Sequence, residues 1–132
     1  MPRRYPLFAA VCLFAAAAAQ AGDWPSFRGP NGNGIAAEKN VPTKWGSKNN
    51  VAWRVELPGP GNSSPIVSAG RVFVACAADE GKKRNLYCYD RKDGKQLWVK
   101  TVEVSNVRET HQTNPYSGST PVANGKRVVV WH

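Results

Sequence analysis

The sequence predicts an all-β chain, part of a β-propeller holding about one and a half four-stranded antiparallel blades behind a signal peptide and an irregular arm. Two observations carry this. Short β-rich runs follow Asn50 (VAWRVEL, SSPIVSA, RVFVACA, NLYCYD, KQLWVKTV, STPVAN and RVVVWH), set apart by Gly, Asn, Pro and Asp. The chain also repeats itself. SPIVSAGRVFV from Ser64 aligns without a gap on TPVANGKRVVV from Thr120 at an offset of 56 residues, and Trp53 aligns on Trp98 at an offset of 45. A unit of roughly 45 residues in four short strands is one blade. The difference of 11 residues marks an insertion between Trp98 and Thr120.

Residues 1–21 read as a secretory signal: Arg3 and Arg4, the apolar run LFAAVCLFAAAAA, then small residues at Ala19–Ala21. The run is too short for a spanning helix, so no membrane span is expected after cleavage, with Gly22 as the first mature residue. Cys12 follows a valine where a lipidated cysteine wants a small residue, and RRYPLF only loosely resembles a twin-arginine signal. The chain is therefore expected to be exported, periplasmic or secreted.

Residues 22–50 form the arm. DWPSFRGPNGNG is glycine-rich, yet lacks the flanking strand and helix of a phosphate cradle, and its collagen-like triplets stop at Ile35. The expectation is an irregular segment stiffened by proline and anchored by Trp24 and Phe27. Residues 51–132 hold the repeats. SSP opens the inner strand of the first blade, RVFVACA is its second, LYCYD its third and QLWVKT its outer fourth. In the DRKDGK turn Asp90 is placed to accept backbone N–H groups, and Gly94 supplies a positive φ. Trp98 on the outer strand is placed to cover a neighbouring blade. VAWRVEL, aligned with that strand, is expected to be an outer strand separated in sequence from its own blade. On this count the chain is too short to close a propeller of four or more blades, so it is expected to associate or aggregate through unpaired edges when expressed alone.

Cys76 and Cys88, the cysteines outside the signal, fit no zinc spacing and are expected as buried residues on neighbouring strands, with a disulfide the lesser alternative. The net charge of +9 falls to +7 without Arg3 and Arg4, and the remaining basic residues scatter over turns such as EGKKRN. That is a solvated rim. It argues against nucleic acid and leaves protein or glycan partners.

CYDRKDGKQLW, Cys88 to Trp98, resembles the tryptophan-docking motif of the pyrroloquinoline-quinone (PQQ) propeller repeat, A-x-D-x-x-T-G-K-x-x-W. Asp90, Gly94, Lys95 and Trp98 match, while Cys88 stands for alanine and Asp93 for threonine. DWPSFRGPNGNG and LPGPGNSSPIV resemble the opening of exported PQQ-like propeller proteins, and the resemblance implies that the arm packs across the first blade or the bottom of the ring. It implies two functional classes. Quinoprotein dehydrogenases hold PQQ and Ca²⁺ over the ring centre and oxidise alcohols or sugars, whereas other relatives keep the blades and bind protein partners in the envelope.

The acids Asp23, Glu38, Glu56, Asp79, Glu80, Asp90, Asp93, Glu103 and Glu109 are dispersed, so the sequence offers no calcium ligand set, metal site or catalytic constellation in this segment. No cofactor is assigned here. The binding module is the expected function, a PQQ- and calcium-dependent dehydrogenase the alternative, and a glycan-binding propeller the third reading. Arg108, His111 and Asn114 in the insertion RETHQTNPYSGSTP are the candidate binding edge, since they lie just before an inner strand. The alternative is that the histidine and amide satisfy loop backbone.

Overall fold

A computed structural model describes residues 22–39, 41–111, 113–114 and 116–132; the signal-peptide reading of residues 1–21 lies outside them. The described chain is all-β apart from a single 3₁₀ turn. Strands β1 (Ile66–Ser68), β2 (Arg71–Ala78), β3 (Lys83–Asp90) and β4 (Gln96–Glu103) form one antiparallel meander in sequence order. This is the blade read from the sequence, with β1 innermost and β4 outermost. A second hairpin, β5 (Val122–Ala123) and β6 (Val128–Val129), supplies the inner half of another blade. The repeat is visible in space. Ser64 and Thr120, equivalent at the 56-residue offset, touch where the Ser64 N–H donates to Thr120 Oγ1 at 3.0 Å.

Each connection follows from its residues. The turn after β3 closes because Asp90 Oδ1 accepts the Lys92 N–H at 2.7 Å, Asp93 Oδ1 accepts that of Lys95 at 2.9 Å, and Gly94 adopts φ 73°. In β2 and β3 alternate side chains point to opposite faces. One face gathers Ile66, Phe73, Leu86 and Cys88, with Trp98, Ala123, Val128 and Val130 packed against them. The Phe73 and Trp98 rings meet at 5.8 Å and 47°. Full burial of a side chain such as Ile66 or Phe73 contributes about 1.5–3 kcal/mol, so this seam holds the two sheets together. As expected, Trp98 reaches from the outer strand toward the neighbouring hairpin.

The other face carries Val74, Cys76, Asn85 and Tyr89, and Tyr89 stacks on Tyr87 at 5.9 Å and 10°. Buried Asn85 needs a partner and has one, because Thr101 Oγ1 donates to its Oδ1 at 2.7 Å across the β3–β4 ladder. Cys76 sits opposite Asn85, three positions from Cys88, which puts the two thiols on opposite faces of the sheet. Both are buried and free, and the parity of the pleat forbids a disulfide between them.

The arm behaves as a strap. Trp24 forms an antiparallel bridge with Val67, its N–H and C=O bonded at 2.8 and 2.9 Å, and Asp23 Oδ2 accepts the Ala69 N–H at 2.9 Å and the Ser68 hydroxyl at 3.3 Å. One residue on, Pro25 accepts the Ala123 N–H of β5 at 2.9 Å. The arm therefore packs across the first blade, as the resemblance implied, and also ties it to the second hairpin.

Two expectations are corrected. Phe27 does not anchor the arm: it is 64% exposed, and Trp24, folded over Gly29, does the anchoring. VAWRVEL makes no ladder among the described residues. Its β-rich composition has no strand beside it to pair with, and β propensity without a partner does not define a strand. Its fixed point is Trp53, whose indole N–H donates to Arg91 O at 2.8 Å while the ring lies on Gly94. Trp53 thus covers the DRKDG turn of the first blade much as Trp98 covers the second hairpin, but from an unpaired segment.

Candidate functional site

The insertion between β4 and β5 lies at the end of the sheets where the inner strands begin. Its return is fastened at several points. The Val104 N–H donates to Lys82 O at 2.8 Å, and Asn62 Nδ2 donates to Thr113 O at 3.1 Å. At the β2–β3 connection Gly81, with φ 86°, presses bare backbone on the Tyr116 ring, where a Cβ would come within 2.5 Å of it. Arg84 finishes the arrangement. Its Nε–H donates to Gly81 O at 2.7 Å and its guanidinium lies 4.4 Å from the Tyr116 ring centroid.

These contacts enclose an open hollow of about 540 Å³, lined by Asn62, Arg84, Arg108, Asn114, Tyr116 and Ser117 among others. Its lining contains two arginines and no carboxylate side chain. The positive field extends to His132 at the rim, where desolvation and then the charge of Arg84 hold the imidazole below its ordinary pKa. Ser117 is the unusual member. It is 5% exposed, its φ is 65°, and its hydroxyl finds no hydrogen-bond partner among the described residues. A buried orphan hydroxyl and a left-handed non-glycine backbone each cost on the order of 1–3 kcal/mol.

Of the residues singled out in the sequence, Arg108 and Asn114 line this hollow, whereas His111 lines a neighbouring one of about 270 Å³ beside Asp79 and Glu80. Thr110 and Tyr116 form the wall between the two. His111 also serves its own loop: its Nδ1 pairs with Thr113 Oγ1 at 2.9 Å and accepts the Thr113 N–H at 3.3 Å, and its carbonyl accepts the Asn114 N–H at 2.9 Å. Asp90, Gly94, Lys95 and Trp98 lie elsewhere, in the β3–β4 turn and the outer strand. Sequence reasoning missed Arg84, Tyr116 and Ser117. The signal available was the run of small residues before each inner strand, GNSS before β1 and SGST before β5, which the repeat superimposes.

Calcium is a poor fit here. It prefers several carboxylate oxygens, and among the described residues no group of three or more His, Cys, Asp or Glu side chains gathers to hold a metal ion.

A four-stranded meander, a tryptophan seated on the glycine of a D-x-x-x-G-K turn and a second hairpin packed beside it define a PQQ-type β-propeller repeat protein. A family model described as outer membrane protein assembly factor BamB matches residues 35–131, and the chain belongs to that family of PQQ-like repeats. No curated protein and no solved structure matches the chain. Among the described residues no helix is long and apolar enough to cross a membrane.

Proposed function

We propose that this chain is an exported propeller segment that binds or scaffolds protein partners in the cell envelope without catalysing a reaction of its own. The observation that carries the reading is the open basic hollow at the inner-strand end, roofed by the insertion and held in shape by the Arg84–Tyr116–Gly81 contact. A preformed polar concavity on a rigid blade is a place for a partner's side chains, and loops at the ends of sheets are where repeat scaffolds carry their binding residues. The family's description as an assembly factor for outer membrane proteins supports the same reading. In this scheme residues 1–21 direct export and are removed, 22–50 strap the blades together, and 51–132 present the surface.

The test is photo-cross-linking in intact cells, with the reactive group placed at Arg108 or Asn114 and adducts identified by mass spectrometry. Adducts with defined envelope proteins are expected, together with a mature N-terminus at Gly22. Dye reduction by the full chain with PQQ, Ca²⁺ and an alcohol or sugar would overturn the reading in favour of a dehydrogenase.

A further inference from the structure

The basic hollow carries a sharper inference, which rests on the binding-module reading above. We propose that it is a receptor for a carboxylate on an extended acidic peptide segment of the partner, with Arg108 and Arg84 as the charged donors and the Ser117 hydroxyl as the third. Three independent features of the hollow converge on this chemistry. Its lining holds two guanidinium groups with no carboxylate side chain to neutralise them, and guanidinium pairs best with the planar, bidentate oxygens of a carboxylate. Arg84 is already oriented: Nε is committed to Gly81 O and the plane is held near Tyr116, so its remaining N–H groups are positioned before any ligand arrives. Ser117 is the third feature. Its hydroxyl is buried without a partner among the described residues, on a backbone held at φ 65°, and turning it into the hollow would let a ligand's acceptor oxygen satisfy it.

A peptide fits better than an acidic glycan. The family's description as an outer membrane protein assembly factor favours a protein partner. Of the two aromatic rings on the lining, Tyr116 is engaged by Gly81 and Arg84 while Trp131 is 82% exposed, so the uronate stands as the competing arm of the test. The volume of about 540 Å³ suits a few residues of extended chain, and the amides of Asn62 and Asn114 at the wall offer donors and acceptors to peptide backbone.

The experiment measures fluorescence anisotropy of short labelled peptides with the full chain: one carrying paired aspartates, one with asparagines in their place, and an oligogalacturonate as the anionic sugar. The aspartate peptide is expected to bind at least roughly tenfold tighter than the asparagine peptide. Arg108→Gln, an exposed position whose loss leaves the packed contacts intact, is expected to abolish most of that preference, and Ser117→Ala to weaken binding roughly fivefold. Far-UV circular dichroism checks that both variants keep the wild-type sheet content. Equal binding of the two peptides, preference for the uronate, or an Arg108→Gln variant that binds like wild type would each overturn the proposal. The two readings fail separately. Partner adducts in cells with no aspartate preference in vitro would sink this inference alone, while an aspartate preference without any partner adduct would sink the scaffold reading alone.

Discussion

Replacing Gly94 with alanine tests whether the Trp53 contact shapes the first blade. At φ 73° an L-residue costs about 1–2 kcal/mol from backbone sterics alone. The new Cβ would also lie 2.6 Å from Trp53 Cδ2 and Cε3, so the indole must move off the turn. Moving it strains or breaks the Nε1–H bond to Arg91 O and disturbs the packing, a further cost of about 1–3 kcal/mol. Gly70 is the natural comparison, because its φ is 72° but nothing lies within 4 Å of its Cβ direction. Gly94→Ala should therefore lower the local opening free energy by about 2–5 kcal/mol, and Gly70→Ala by about 1–2 kcal/mol. Site-resolved amide hydrogen exchange over Asp90–Trp98 and over Ser68–Arg71 reads both values without requiring a global two-state transition. In a Trp53→Ala background the Gly94→Ala cost should shrink to that of Gly70→Ala. Equal costs in the wild type, or an undiminished cost without Trp53, would refute the docking argument.

Asp23→Ala removes the acceptor for the Ala69 N–H and the Ser68 hydroxyl, and should cost about 1–3 kcal/mol in protection of the Trp24 and Val67 amides while leaving the β2–β3 ladder unchanged. Phe27→Ala should be neutral within about 0.5 kcal/mol by the same measurement, because the ring is exposed. Burial raises the thiol pKa of Cys76 and of Cys88, so at neutral pH each holds less thiolate than an ordinary cysteine. Alkylation of the folded chain should be slow, and should rise with pH only well into the alkaline range. On unfolding both thiols should react at the ordinary rate, and fast labelling of either in the native chain would contradict the core described here.

Much of the blade was legible because its signals are local or repeat. Asp90 and Gly94 define a turn within a few residues, and the match between Ser64 and Thr120 carries the inner hairpin from one sheet to the next. The outward strand of the blade was readable through Trp98. VAWRVEL misled because its composition is that of a strand while strandhood depends on a neighbour, which no run of seven residues encodes. Phe27 misled for a related reason: aromatic character predicts burial only where a surface exists to receive it, and the arm turns that side to solvent. In the hollow, Arg108 and Asn114 were visible as polar residues of an insertion. Arg84 and Ser117 were not, since the importance of Arg84 comes from a contact with Tyr116 on a distant segment and that of Ser117 from a buried hydroxyl and a backbone angle that its residue type does not announce.

The strap formed by Trp24 and Pro25 has a consequence for the order in which the chain assembles. Trp24 can pair with Val67 as soon as β1 exists, so the arm has a provisional seat early in synthesis. The bond from the Ala123 N–H to Pro25 O waits for β5, far downstream, and closing so long a loop is the slow kind of contact. The arm should therefore be half-docked for as long as the insertion is being made, and lock when the second hairpin arrives and settles over Phe73 and Trp98. A segment near the start of the described residues should thus act as a late checkpoint, seating fully only on blades that have found each other.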